Sequence, residues 1–210
     1  MTYGEVRDAS LQLINQYSIA GTKIPESYNN QRDYLNRIPF LVNDAQMYAA
    51  THGRRIPATV SLGDLGRTVI GKYVRYQMPG DFYQFKSLSV LTYAGETRRL
   101  PFVRTEPPKS FLLPDSVSPD SETVVEYYRF PAPVFTPPFD GQLLDNTPDV
   151  QQILPYYVAA HLVLADDAYL QATLYNEFET RLSRVSDPAT VEQSPIEDCY
   201  GFSYEPDIWR

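Results

Sequence analysis

The sequence predicts an α+β fold: a helical bundle body made of two N-terminal helices and a long C-terminal helix, with a small β-sandwich or barrel inserted between them and an extended C-terminal tail. Three observations lead there. Apolar residues recur at three- and four-residue steps in the first 55 residues and again from 146 to 185. From Ile56 that spacing gives way to short β-branched and aromatic runs between Gly, Pro and Asp. Nine of the 18 prolines then fall between Pro101 and Pro138, where rings that cannot donate to a ladder mark strand edges, turns and extended linkers. The corresponding organisation is 1–55 for the N-terminal helices, 56–145 for the β lobe with its Pro-rich linkers, 146–185 for the core helix and 186–210 for the tail.

Thr2 followed by Glu5 is a capping box, which predicts a first helix over about residues 3–19, with Val6, Leu13, Ile14 and Tyr17 inward and Gly21 as the left-handed C-cap. Asn29 or Asn30 offers the next N-cap, and Tyr34, Ile38, Leu41, Ala45 and Tyr48 carry a second helix to His52-Gly53. Pro39 inside it predicts a kink or restart near Arg37. The β runs are Thr68–Tyr76, a stretch within Phe82–Tyr93, and Thr123–Phe130, with five or six strands expected over residues 56–135. Thr147-Pro148-Asp149 reads as a helix start. The apolar stripe of Ile153, Tyr157, Ala160, Leu164 and Ala168 continues through Leu170, Leu174, Phe178 and Leu182 to about Val185, with Pro155 shifting the true beginning of the helix and Asp166-Asp167 bending or interrupting it. Ser186 to Arg210 holds six acids against one base, yet also Tyr200, Phe202, Tyr204, Ile208 and Trp209, anchors that a purely solvating tail has no need of.

Composition excludes several function classes. One cysteine, Cys199, cannot form an internal disulfide or a Cys-based zinc site, and Glu197 and Asp198 beside it disfavour a thiolate nucleophile. A formal charge of −8 is the wrong sign for wrapping nucleic acid. No basic and apolar leader and no run of about 18 apolar residues is evident, so the chain is expected to be made in the cytoplasm with no membrane partner.

Catalytic readings are weak as well. His161 with Asp166 and Asp167 has offsets that do not share a helix face, and His52 beside Gly53-Arg54-Arg55 fits a helix C-terminus better than a base. Gly63-Asp64-Leu65-Gly66 and Pro79-Gly80-Asp81 lack a phosphate-loop lysine and read as turns, so no cofactor is expected. The abundant tyrosines, including Tyr73, Tyr76, Tyr83, Tyr93, Tyr127 and Tyr128, suit either a subunit interface or a sugar- or base-stacking platform, and the interface is favoured because the acidic balance argues against nucleic acid and no repeated sugar-platform spacing is evident.

The stretches Tyr34–Gln46, Met78–Gln84, Val125–Pro131, Ile153–Leu162, Asp166-Asp167 and Tyr175–Glu179 stand in an order that resembles the head-to-tail connector, or adaptor, proteins of tailed double-stranded DNA bacteriophages, over about residues 28–185. No single string carries the likeness; the order does. The resemblance implies a non-enzymatic virion protein at the neck: a homo-oligomeric ring, dodecameric in expectation, between the portal protein and a downstream neck or tail protein, extending the channel through which DNA passes without tight binding. An acidic subunit suits such a conduit. In this reading Tyr200, Phe202, Tyr204, Ile208 and Trp209 anchor the tail on the portal. The rival class is a tail-associated or cell-surface glycan-binding module using the tyrosine-rich sheet. An enzyme built on carboxylates such as Asp64 and Asp81 comes third.

Overall fold

The computed structural model describes residues 1–14, 29–91, 97–99, 103–104, 109–115 and 123–185. It is a mixed helix and sheet structure, α+β in class, with two hydrophobic cores.

Helix α1 (Tyr3–Leu13) begins at the expected capping box: Thr2 Oγ1 accepts the Glu5 amide at 3.2 Å and Glu5 Oε2 accepts the Thr2 amide at 2.8 Å. It stops at Leu13, short of residue 19, because Ile14 leaves helical dihedrals (φ −101°, ψ 18°) while staying buried. Gly21 and Tyr17 lie outside the described residues. Helix α2 (Asn29–Tyr48) continues through Pro39, so of the kink or restart expected near Arg37 the restart does not occur. Proline removes one helical hydrogen bond, but Tyr34, Ile38, Val42 and Ala45 are all buried on one face, and that burial outweighs the loss. The helix then widens into one π-helical turn at Ala49–Gly53. Gly53 is needed there for space, since a Cβ on it would come within 2.4 Å of Leu182 Cδ1.

The expected long C-terminal helix is three helices, α3 (Pro148–Gln151), α4 (Leu154–Leu162) and α5 (Ala168–Val185). Both breaks follow from chemistry in the sequence. Pro155 sits in the first turn of α4, where its missing amide costs nothing. Asp167 caps α5, its Oδ1 accepting the amides of Tyr169 and Leu170 at 3.0 and 2.9 Å. Helices α1, α2, α4 and α5 share the first core, with Val6, Leu11, Ile38, Val42, Val158, Leu162 and Phe178 fully or almost fully buried.

Eight strands lie among the described residues, more than the five or six expected: β1 (Ile56–Ser61), β2 (Gly66–Ile70), β3 (Tyr73–Gln77), β4 (Phe82–Leu91), β5 (Thr97–Arg99), β6 (Val103–Arg104), β7 (Ser110–Pro114) and β8 (Thr123–Arg129). They form two antiparallel four-stranded sheets, ordered β1-β8-β4-β5 and β2-β3-β7-β6. The run Thr68–Tyr76, read as one strand, is a hairpin instead: Ile70 pairs with Tyr73 across Gly71-Lys72, and Gly71 takes φ +63°, the left-handed value that two-residue hairpin turns require. The second core draws Phe82, Phe85, Leu88, Val125 and Tyr127 from the first sheet and Val74, Tyr76, Phe111 and Leu113 from the second.

Residues 131–145, grouped with the β lobe as Pro-rich linker, return with 146–147 across the helices. Val134 and Leu144 are buried in the helical core.

Candidate interaction surface

Residues 131–147 form a strap whose backbone and polar side chains are tied down from four directions. At its start and end, Arg129 of β8 makes a two-pronged ion pair with Asp145, Nη1 to Oδ2 at 2.5 Å and Nη2 to Oδ1 at 2.7 Å. Asp145 Oδ2 also accepts the Ala132 amide at 2.8 Å, so this carboxylate closes the strap into a loop. The Arg129 guanidinium and the Ala132 amide hold the Asp145 carboxyl below the usual carboxylate range, with the Arg129 hydrogen bond the largest influence. From α2, Asn43 Oδ1 accepts the Val134 amide at 2.7 Å and Gln46 Oε1 accepts the Asp145 amide at 3.3 Å. From α1, the amides of Tyr3 and Gly4 donate to the Gln142 and Asp140 carbonyls at 2.8 and 3.0 Å, and Arg7 Nη1 meets Asp140 Oδ1 at 2.5 Å. From α3, Gln151 Nε2 donates to the carbonyls of Leu144 and Asn146 at 2.8 and 2.6 Å.

Gln142 braces the strap from within, its Oε1 accepting the Phe135 amide and its Nε2 donating to the Pro133 carbonyl. The side chains left outside are large and apolar. Phe135 is 63% exposed, Phe139 62% and Leu143 75%. Phe40, 71% exposed, lies on α2 one turn before Asn43, the residue that receives the strap at Val134. A loop anchored this firmly with aromatic rings in water has already lost the conformational entropy that docking costs, which favours a protein-binding surface over a solvated linker.

Two other segments are exposed along their whole length. Residues 66–73, β2 and the hairpin turn, are exposed without interruption and include Val69 and Ile70. Residues 164–169, the corner between α4 and α5, are likewise all exposed, with Leu164 at 57% and Tyr169 at 84%.

The residues singled out in the sequence are dispersed. Tyr200, Phe202, Tyr204, Ile208, Trp209 and Cys199 lie outside the described residues, as does Tyr93. His161 donates from Nδ1 to the Tyr157 carbonyl at 2.8 Å and stacks on the Tyr157 ring at 4.1 Å. His52 stacks on Tyr48 at 4.3 Å, with Nδ1 3.3 Å from the Tyr48 carbonyl, at the helix end expected for it. Tyr48 joins this aromatic group to α5 through its hydroxyl, which donates to Glu179 at 2.8 Å; hydrogen bonding to Tyr175 and Glu179 pushes its pKa up. Asp166 accepts the Tyr34 hydroxyl at 2.5 Å, and burial followed by that bond pushes the Tyr34 pKa up to about 12. His161, Asp166 and Asp167 thus hold three separate structural contacts, and among the described residues no group of three or more metal-binding side chains converges.

Asp64 stands in an exposed turn, whereas Asp81 accepts the Tyr127 hydroxyl at 3.3 Å. Neither lines the open hollow of about 350 Å³ between α1 and α4, which is bordered by Met1, Ala9, Gln12, Leu13, Gln152, Pro155 and Tyr156. The tyrosines of the β region do not form one platform. Tyr76 and Tyr127 are buried against Phe111 and Phe82, Tyr83 packs on Phe130, Tyr128 lies under Arg55, and Tyr73 is half exposed at the hairpin.

The strap was not anticipated as a surface. Its signal was present: Phe135 and Phe139 flank Thr136-Pro137-Pro138, and phenylalanine in a proline-rich linker is out of place unless it docks on something. No protein-family model and no curated protein sequence matches the chain.

Proposed function

We propose that the chain is a structural adaptor of a tailed phage virion, assembling as a ring between the portal vertex and the next neck or tail component. The observation that carries this is the strap: Phe135, Phe139 and Leu143 held in solvent by hydrogen bonds from α1, α2, α3 and β8. Fixed apolar side chains on a braced loop fit a permanent protein joint, as an adaptor requires. The helices serve as a bundle forming the body of the ring, and the β-sandwich lobe faces neighbours and the downstream protein. The acidic tail reaches the portal through Tyr200, Phe202, Tyr204, Ile208 and Trp209. The net charge of −8 lets DNA pass without counterion-driven capture.

No helix among the described residues is long and apolar enough to cross a membrane, in keeping with partners that are proteins. The glycan-binding alternative loses Tyr76 and Tyr127, which are spent inside the second core. The test is cosedimentation of the full-length chain, and of a version ending at Val185, with the portal ring of the same virus. Binding by the full-length chain alone supports both the adaptor role and the tail anchor. Binding by neither moves the glycan reading to the front.

A further inference from the structure

We infer that successive copies of this chain meet head to tail, the β2–β3 hairpin of one copy seating on the α4–α5 corner of the next. The inference deepens the ring reading and rests only on its self-association, not on portal attachment.

The inner strand of the hairpin, β3, is paired with β7, while its outer strand, β2, pairs with β3 alone among the described residues. In an antiparallel pair, facing residues share a side of the sheet, so Ile70 and Tyr73 lie on one face and Val69 and Val74 on the other. Val74 is buried, yet Val69 is 66% exposed, as is the rest of β2 on both faces. Strand β2 is also a sheet edge, with its outer backbone groups unclaimed by any strand among the described residues. An edge strand exposing apolar groups on both faces is complete only when another surface covers it.

Charge identifies that surface. From Gly66 to Gly80 the chain carries Arg67, Lys72 and Arg75 and no acid, against Asp64 two residues before the segment and Asp115, whose amide donates to the Lys72 carbonyl at 2.9 Å, so the hairpin itself is net positive. The α4–α5 corner is the counterpart. Its six exposed residues hold Leu164, Tyr169, Asp166 and Asp167 and no base, while the neighbouring Arg37 and Asp33 pair with each other at 3.7 Å. Each segment thus combines exposed apolar side chains with a net charge opposite to that of the other, the pattern of complementary interface halves.

One copy cannot satisfy both. The corner is fixed to Tyr34, near the start of α2, through Asp166, whereas the β strands follow the other end of α2, beyond Gly53. The helical rise puts Tyr34 about 21 Å along the axis from Tyr48. Two different, complementary patches at opposite ends of a subunit generate a heterologous contact, which closes into a ring or extends as a filament.

Disulfide trapping on the full-length chain tests this, in a Cys199→Ser background so that only introduced thiols react. Ile70→Cys and Tyr169→Cys replace exposed side chains, and circular dichroism on each variant checks that the fold is intact. When concentrated solutions of the two single-cysteine chains are mixed and oxidised, a covalent heterodimer is expected, at a yield at least several-fold above homodimer from either chain alone. A chain bearing both cysteines gives a ladder of covalent oligomers. Adding Arg67→Glu and Lys72→Glu to the hairpin chain cuts the heterodimer yield several-fold, as does raising salt from about 0.1 to about 1 M. No heterodimer from folded chains overturns the inference, and so does preferential Ile70→Cys homodimer, which marks a two-fold contact. Either failure leaves portal cosedimentation free to succeed, so the two readings fail separately.

Discussion

Replacing Asp145 with alanine removes three hydrogen bonds at once, two from Arg129 and one from the Ala132 amide, and leaves the Arg129 guanidinium without its carboxylate. Both side chains of the pair are about a quarter exposed, at 26% for Arg129 and 23% for Asp145, so the effect lies between the 3–5 kcal/mol or so of breaking a buried pair and the ~0.5 kcal/mol of a surface one. Water can re-solvate much of the guanidinium, which leaves a destabilisation of about 2 kcal/mol. For a chain of this size that lowers the melting temperature by about 4–8 °C. The sign of its pH dependence follows from the lowered Asp145 pKa. The stabilisation is complete above the unfolded carboxylate pKa and disappears as pH falls through the lower folded value, so wild type and Asp145→Ala converge in stability towards the acid limit and differ most at neutral pH. Urea denaturation at pH 7 and at pH 3 measures the difference, and a cycle with Arg129→Ala isolates the pair. A loss below about 0.5 kcal/mol at neutral pH would refute the reasoning that this ion pair clamps the strap.

The double variant Phe135→Ser, Phe139→Ser should keep the wild-type melting temperature within about 1 °C, since both rings are largely in water, while losing most binding to portal or neck partner; pulldown with equal melting curves distinguishes surface from scaffold. Gly53→Ala forces a methyl towards Leu182 and should cost about 1–3 kcal/mol, part of which returns in Gly53→Ala, Leu182→Ala if the clash is the cause, as denaturant midpoints will show. Tyr3 and Tyr34 are each raised to about 12, mainly by burial, so their neutral forms favour the folded state below pH 10 and that stability is lost as pH rises through 12; absorbance at alkaline pH should show both ionising above the ordinary tyrosine value, with unfolding overtaking the titration.

Local chemistry was the part of the fold most legible in the sequence. Thr2 with Glu5 placed the start of α1 correctly, Pro155 marked the shifted beginning of α4 and Asp166-Asp167 the point where the helical region divides, although the stripe from Ile153 to Leu182 suggested one element. Leu164 and Ala168, expected on the inward stripe, are exposed instead, because they fall in the corner between α4 and α5 that buries nothing. Pro39 does not restart the helix, because tertiary burial of Ile38 and Val42 holds it together where the lost hydrogen bond would favour a break. The hairpin hid inside an apolar run, since Gly71 alone, without a neighbouring Asn or Asp, is a faint turn signal. The strap was the least visible feature. Its order comes from Asn43, Gln46, Gln142 and Gln151, amide side chains whose partners lie up to about a hundred residues away, and no local pattern encodes such pairings.

The juxtaposition of α1 with α4 also sets a timetable for synthesis. Val6 and Leu11 are buried in a core with Leu154 and Val158, so a chain leaving the ribosome holds an amphipathic first helix whose main covering helix, α4, follows only after nearly 150 more residues have been made. At translation speeds of about 5–20 residues per second that interval lasts roughly 8–30 s. The second core, from Leu62 to Tyr127, is drawn from one contiguous stretch and is finished earlier, so the sheets can close while the helices wait. The nascent body is therefore exposed to chaperones and to premature self-association for most of its manufacture, and its last-made helices, rather than its first, decide when a subunit becomes competent to assemble.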